Sequence, residues 1–206
     1  MWQAGLSGFG LGFSLIAAIG AQNVFVLRQG LRGEHVLAVC LTCALSDALL
    51  LSLGVLGFGA LVEALPGVTG WLRYAGALFL LIYGARSLAG ALRGGQKLTL
   101  APGRGQGQGA SLFATLGVCL ALTWLNPHVY LDTVILMGSV AGGLDQGRGA
   151  FLAGAILASL TFFMSLGAGA RLLRPLFERP GAWRLLDTLS GLLMWAIAAG
   201  LLLSAD

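Results

Sequence analysis

Two carboxylates, two adjacent amides and an Asn-Pro step stand inside otherwise apolar runs of this chain, and these are the residues that could do chemistry. Asp47 lies in the middle of "VLAVCLTCALSDALLLSLG", and Asp132 lies within "TWLNPHVYLDT". No Lys or Arg stands within one helical turn of either. One reading pairs them with a basic residue from elsewhere, such as Arg73 or Arg86. The other lets them face a central cavity and accept a cation or a proton. An ionisable side chain at the centre of a bilayer costs about 2.5–3.5 kcal/mol on insertion scales, which makes function the default reading. Asn126-Pro127 reads as a helix restart, with Asn126 as the N-cap and Pro127 in the first helical position. A plain proline kink is the other outcome. Gln22 and Asn23 follow Gly20-Ala21 near the end of the first apolar run. Their amides can bind a carboxylate or an ammonium group, or can bond to neighbouring helices. His128 fits packing or hydrogen bonding better than proton transfer. His35 and His128 fall in different runs without ligand spacing, so no metal site is expected.

The elements that position these residues follow from composition. Of 206 residues, 57% are hydrophobic and 10% charged, with a mean hydropathy of +0.88. Soluble domains carry about 25% charged residues, so this chain reads as an integral membrane protein in contact with lipid. The net charge of +4 comes without an aromatic-interleaved basic patch, and nucleic acid is not an expected partner. Six apolar runs are long enough to cross a bilayer: Gly5 to Leu27, Val36 to Leu61, Trp71 to Leu92, Ala110 to Ser139, Gly149 to Leu172, and Trp183 to Leu203. In lipid they must be helices, because an open strand edge leaves backbone groups unpaired. The first run has no Lys or Arg ahead of it and reads as a retained span, not a signal peptide. The first, third and fifth connections hold ten Lys and Arg and the others two. That predicts both termini outside, with five spans as the alternative to six.

The chain also repeats itself. "SDALLLSLG" from Ser46 matches "SLTFFMSLG" from Ser159, and the third and sixth runs each begin near a Trp. "QNVFVL" from Gln22 weakly echoes "PHVYLD" from Pro127. The expected fold is an all-α membrane protein with two inverted three-helix repeats, residues 1–93 and 110–206, and broken first and fourth helices. The Gly- and Gln-rich stretch 94–109 reads as a cytoplasmic linker. Cys40 and Cys43 form a C-x-x-C that could suggest thiol redox chemistry. Neither has a basic neighbour in sequence, and both read as small buried hydrophobes. Asp187, one turn from Arg184, reads as half of an interfacial pair. There is no Walker A sequence for ATP coupling, and no residue pattern suggests an enzyme or a bound cofactor. The glycines at Gly5, Gly8, Gly10 and Gly12 suit close packing within one chain or in a homo-oligomer.

Three of these stretches, "GAQNVFVLRQGL", "SDALLLSLG" and "LNPHVYLDT", resemble the signatures of the lysine exporter (LysE) family, and most closely its lysine/arginine exporter branch. The resemblance covers about Gly10 to Leu203. The homoserine/threonine branch typically has proline-glycine-proline where this chain has Gly20-Ala21-Gln22-Asn23. The resemblance implies a bacterial cytoplasmic-membrane carrier that exports L-arginine, L-lysine or both, driven by the proton motive force. The family's important positions carry over onto Gln22, Asn23, Asp47, Asn126, Pro127 and Asp132, with His128 beside them. Asp47 and Asp132 are the expected proton carriers. A neutral amino acid or a cation as cargo, a thiol-redox protein, and a channel-like subunit are the competing readings.

Overall fold

The computed structural model describes residues 1–18, 20–58, 66–93, 110–144, 146–178 and 180–203. Among the described residues there is no β-strand. The helices are α1 (Trp2–Ala17), α2 (Ala21–Arg32), α3 (Val36–Leu53) with a π-wound extension (Gly54–Phe58), α4 (Pro66–Leu92) and α5 (Leu112–Trp124). They continue with α6 (Pro127–Gly142), whose middle (Tyr130–Leu136) is π-wound. Next come α7 (Arg148–Gly169), running on as a 3₁₀ segment (Ala170–Glu178), and α8 (Pro180–Leu203).

Four stretches are long and apolar enough to cross a membrane unaided: Val36–Leu56, Tyr74–Leu92, Arg148–Phe177 and Gly181–Leu203. The pairs α1/α2 and α5/α6 bend by 81° and 60°, and each pair counted as one span brings the number to six. The proposed linker 94–109 and residues 59–65 lie outside the described residues.

Helical periodicity decides which side chains face lipid. On α3, Leu37, Leu41, Leu45 and Leu49 repeat every fourth residue and are exposed, while Val39, Cys40, Cys43, Asp47, Leu50 and Leu51 are buried. An exposed leucine row is the expected lipid face of a membrane helix, and the opposite stripe packs on its neighbours. Asp47 belongs to that inner stripe, 5% exposed.

Small residues set how closely the helices approach. α1 lies along α7, and α4 along α8. A Cβ on Gly8 would strike the carbonyl of Phe151, and one on Gly154 the carbonyl of Gly5. Gly12 meets Ala155, whereas Gly10 has open space. Of the early glycines, Gly5, Gly8 and Gly12 therefore serve packing within the chain. Two further close contacts involve the two S-L-G motifs. A Cβ on Gly138 of α6 would come within 2.6 Å of the Gly54 carbonyl, and one on Gly30 of α2 within 2.6 Å of the Gly167 carbonyl. Gly54 and Gly167 close the two S-L-G motifs.

Two expectations need correction. Gln22 and Asn23 do not stand at the end of a span: they occupy the first turn of α2, which runs on to Arg32. Arg28 did not end the helix because its charge is neutralised inside the bundle. It donates to Asp187 at 2.9 Å and lies 3.3 Å from Ser87 Oγ. Asp187 therefore pairs with Arg28, not with Arg184, whose Nε donates to the carbonyl of Ala91. Sequence neighbours one turn apart share a surface strip, but a desolvated guanidinium has the stronger need for the carboxylate.

Candidate functional site

The site is built from the two helix breaks. In the first, Ala18 leaves helical geometry (φ −56°, ψ 129°) and Gly20 is extended (φ −128°, ψ 169°) before α2 begins. Asn23 Nδ2 donates to the carbonyls of Ile16 and Ala18, each at 2.8 Å. These acceptors belong to the end of α1, where carbonyls have no partner further along the helix. Asn23 therefore holds the break together, a role closer to the hydrogen-bonding reading than to free ligand capture.

In the second break, Asn126 has extended geometry and its Oδ1 accepts from the backbone N–H of His128 at 3.2 Å. Pro127 occupies the first helical position. This is the expected helix restart. Tyr130 reaches back, its hydroxyl donating to the Trp124 carbonyl at 2.9 Å, and Trp124 Nε1 donates to Ser46. The break is thus tied to both its own flanks and α3.

Between the breaks lies a cavity of about 520 Å³. Its walls include Gln22, Asn23, Asp47, Asn126, His128 and Asp132. Six of the seven residues singled out from sequence therefore share one cavity. Pro127 is not in the wall; it fixes where α6 starts. Pockets of 300–1,000 Å³ suit small-molecule ligands, so an amino acid fits this volume. The N-termini of α2 and α6 both open here, each presenting backbone N–H groups and the positive end of a helix dipole. The opposite charge comes from Asp47 on α3 and Asp132 in the π-wound turn of α6. Such turns are frequent at functional sites.

Asp47 is held by α7. Ser159 of α7, fully buried, donates to Asp47 Oδ2 at 2.7 Å. Sequence reasoning used Ser159 only as a repeat marker; its place at the head of "SLTFFMSLG", matching Ser46, was the available signal. It also missed Thr133, Phe163 and the α8 wall of Ala196, Ile197 and Gly200. These are small or apolar residues in apolar runs, where composition carries no signal.

The cysteines have separate partners. Cys40 Sγ donates to the Phe163 carbonyl at 3.1 Å, while Cys43 Sγ lies 3.3 Å from Cys119 Sγ. All three are buried and free. Among the described residues no cluster of three His, Cys, Asp or Glu is placed to hold a metal ion.

These features define a class: a multi-pass helical membrane protein with a polar, charged cavity between two broken helices. The chain belongs to the LysE type translocator family, which it matches over residues 13–205. It is a protein of the bacterial cytoplasmic membrane. A Mycobacterium tuberculosis (H37Rv) protein described as a candidate amino-acid transporter is 42% identical over 192 residues, covering 93% of each chain. The arginine exporter protein ArgO of Yersinia enterocolitica is 40% identical over 194 residues, 94% of this chain and 93% of its own. ArgO of Enterobacter sp. (strain 638) is 40% identical over 193 residues, 93% and 89% respectively. No solved structure matches.

Proposed function

We propose that this protein is a secondary transporter that exports basic amino acids, L-arginine and/or L-lysine, from the cytoplasm. The observation that carries this reading is one cavity lined by Asp47 and Asp132 and by the first turns of α2 and α6. A basic amino acid brings two cationic groups and one carboxylate. The carboxylate is received at a half-helix N-terminus, as anions are at helix N-termini generally. The α-ammonium and the side-chain cation are balanced by the two aspartates. Gln22, Asn126 and His128 supply polar contacts around them. Relatives named as arginine exporters favour arginine as the cargo.

Export against a gradient requires alternating access around a central site. The matched Gly54–Gly138 and Gly30–Gly167 contacts support two inverted three-helix units, residues 1–93 and 110–206, that rock about it. The proton motive force drives the cycle, and Asp47 and Asp132 are the groups that exchange protons. Lys and Arg concentrate in and toward the helix ends that flank the first, third and fifth connections, which favours those ends on the cytoplasmic side.

The test is counterflow of labelled arginine in proteoliposomes, run against a panel of amino acids with and without a pH gradient. Arginine and lysine should exchange, and an inside-acid or inside-alkaline gradient should bias the flux. Saturable exchange of neutral amino acids alone would contradict the reading. Replacing Cys40 and Cys43 by Ala should leave exchange intact, since neither lines the cavity.

A further inference from the structure

The Arg28–Asp187 pair lies apart from the cavity and has no part in the site above. Three helices place it in the same order. On α2 the sequence runs from Gln22 at the cavity, through Phe25, to Arg28. On α4 it runs through Leu80 and Tyr83 to Ser87. On α8 it runs back from Ala196 at the cavity, through Met194, to Asp187. At 1.5 Å per residue, Asp187 stands roughly 13 Å along α8 from Ala196. Phe25 and Tyr83 pack edge-to-face at 6.4 Å in the layer between. The apolar layer and then the ion pair therefore stand in series between the cavity and the end of the bundle that carries Arg93.

The pair is desolvated but not saturated. Its side chains are 10% and 12% exposed. Arg28 Nη2 reaches Asp187 and both terminal nitrogens lie within 3.4 Å of Ser87 Oγ. Arg28 Nε and the neighbouring Gln29 Oε1 are buried without a hydrogen-bond partner. A purely structural network would be expected to satisfy these atoms. Pulling Arg28 away from Asp187 would leave a buried carboxylate without its bonded partner, with the charge of Arg32 still acting on it, which is unfavourable. A cation that takes the place of Arg28 removes that penalty. The guanidinium of a free arginine is the same chemical group with the same planar fork of donors.

We propose that Asp187 is a third cation-recognising carboxylate of the transport path, outside the cavity that holds Asp47 and Asp132, closed by Arg28 and taken over by the substrate's own guanidinium or ammonium as it passes. The inference rests on the export reading and extends it. Neutral amino acids cannot replace Arg28, so the layer selects for charge before the cavity is reached. Asp187 and Ser87 act as a relay station, and Arg28 is its resident counter-ion.

The experiment uses full-length protein in vesicles with Cys40, Cys43 and Cys119 replaced by Ala and Leu80→Cys as a reporter in the apolar layer. A membrane-impermeant thiol reagent is applied from the side on which Arg93 lies. Arginine should raise labelling on the order of tenfold over citrulline, its neutral isostere. The double replacement Arg28→Met with Asp187→Leu removes both charges together and so avoids a stranded ion. That variant should lose the difference between arginine and citrulline. If the same vesicles bind arginine but labelling does not respond, or the double variant keeps the arginine response, the relay is overturned. Vesicles that bind no arginine at all overturn the export reading, and the relay falls with it.

Discussion

At the residue scale, recognition of a cation turns on Asp47 and what holds it. Ser159 donates to Asp47 Oδ2 at 2.7 Å with both side chains buried. A hydrogen bond to a charged group contributes about 1.5–3 kcal/mol. Ser159→Ala should therefore weaken arginine binding by roughly tenfold or more, with Ser159→Thr restoring part of it if the hydroxyl fits. Equilibrium binding of labelled arginine to purified protein measures this. Asp47→Asn should abolish exchange, because it removes the negative charge and the proton-exchanging group while leaving an amide oxygen that can still accept from Ser159. Asn126 has a different kind of role. Its side chain caps α6, and losing such a cap costs about 0.5–2 kcal/mol. Asn126→Ala should lower the thermal midpoint in detergent, with Asn126→Ser recovering most of the loss. Equal midpoints for all three would mean that the cap does not hold the break.

At the scale of the element, glycine decides which helices can touch. A Cβ on Gly8 runs into backbone of α7, while a Cβ on Gly10 meets nothing within 4 Å. Gly8→Ala should destabilise by about 1–3 kcal/mol, the usual result of overpacking. Gly10→Ala should be neutral within error, and thermal unfolding of the pair of variants checks the contrast. Much at this scale was legible in the sequence. Apolar runs located the helices, since lipid leaves no other backbone solution. Asn126-Pro127 located the second break, because proline cannot continue a helix and asparagine can cap one. The end of the first span was not legible. Arg28 and Arg32 looked like loop residues, and only the fold brings Asp187 and Ser87 from α8 and α4 to Arg28. Long-range pairing of this sort leaves no local trace. The same holds for Ser159, which is one hydroxyl in an apolar run until α7 is laid against α3.

At the scale of the whole molecule, charge is distributed in layers. The cavity joins two half-helix N-termini to two carboxylates, and a buried ion pair lies beyond an aromatic layer at one end. The expected cytoplasmic face of that end can be checked with fusions at the C-terminus. A reporter active only outside the cytoplasm should work there, and one active only in the cytoplasm should not. The central claim is that the cavity recognises a cationic amino acid through Asp47 and Asp132. Arginine and citrulline have nearly the same shape and differ in side-chain charge, so their affinities for purified protein isolate that claim. Wild type should prefer arginine by on the order of a hundredfold, and Asp47→Asn or Asp132→Asn should remove most of the preference. Equal affinities for arginine and citrulline, or an undiminished preference in both variants, would contradict the account.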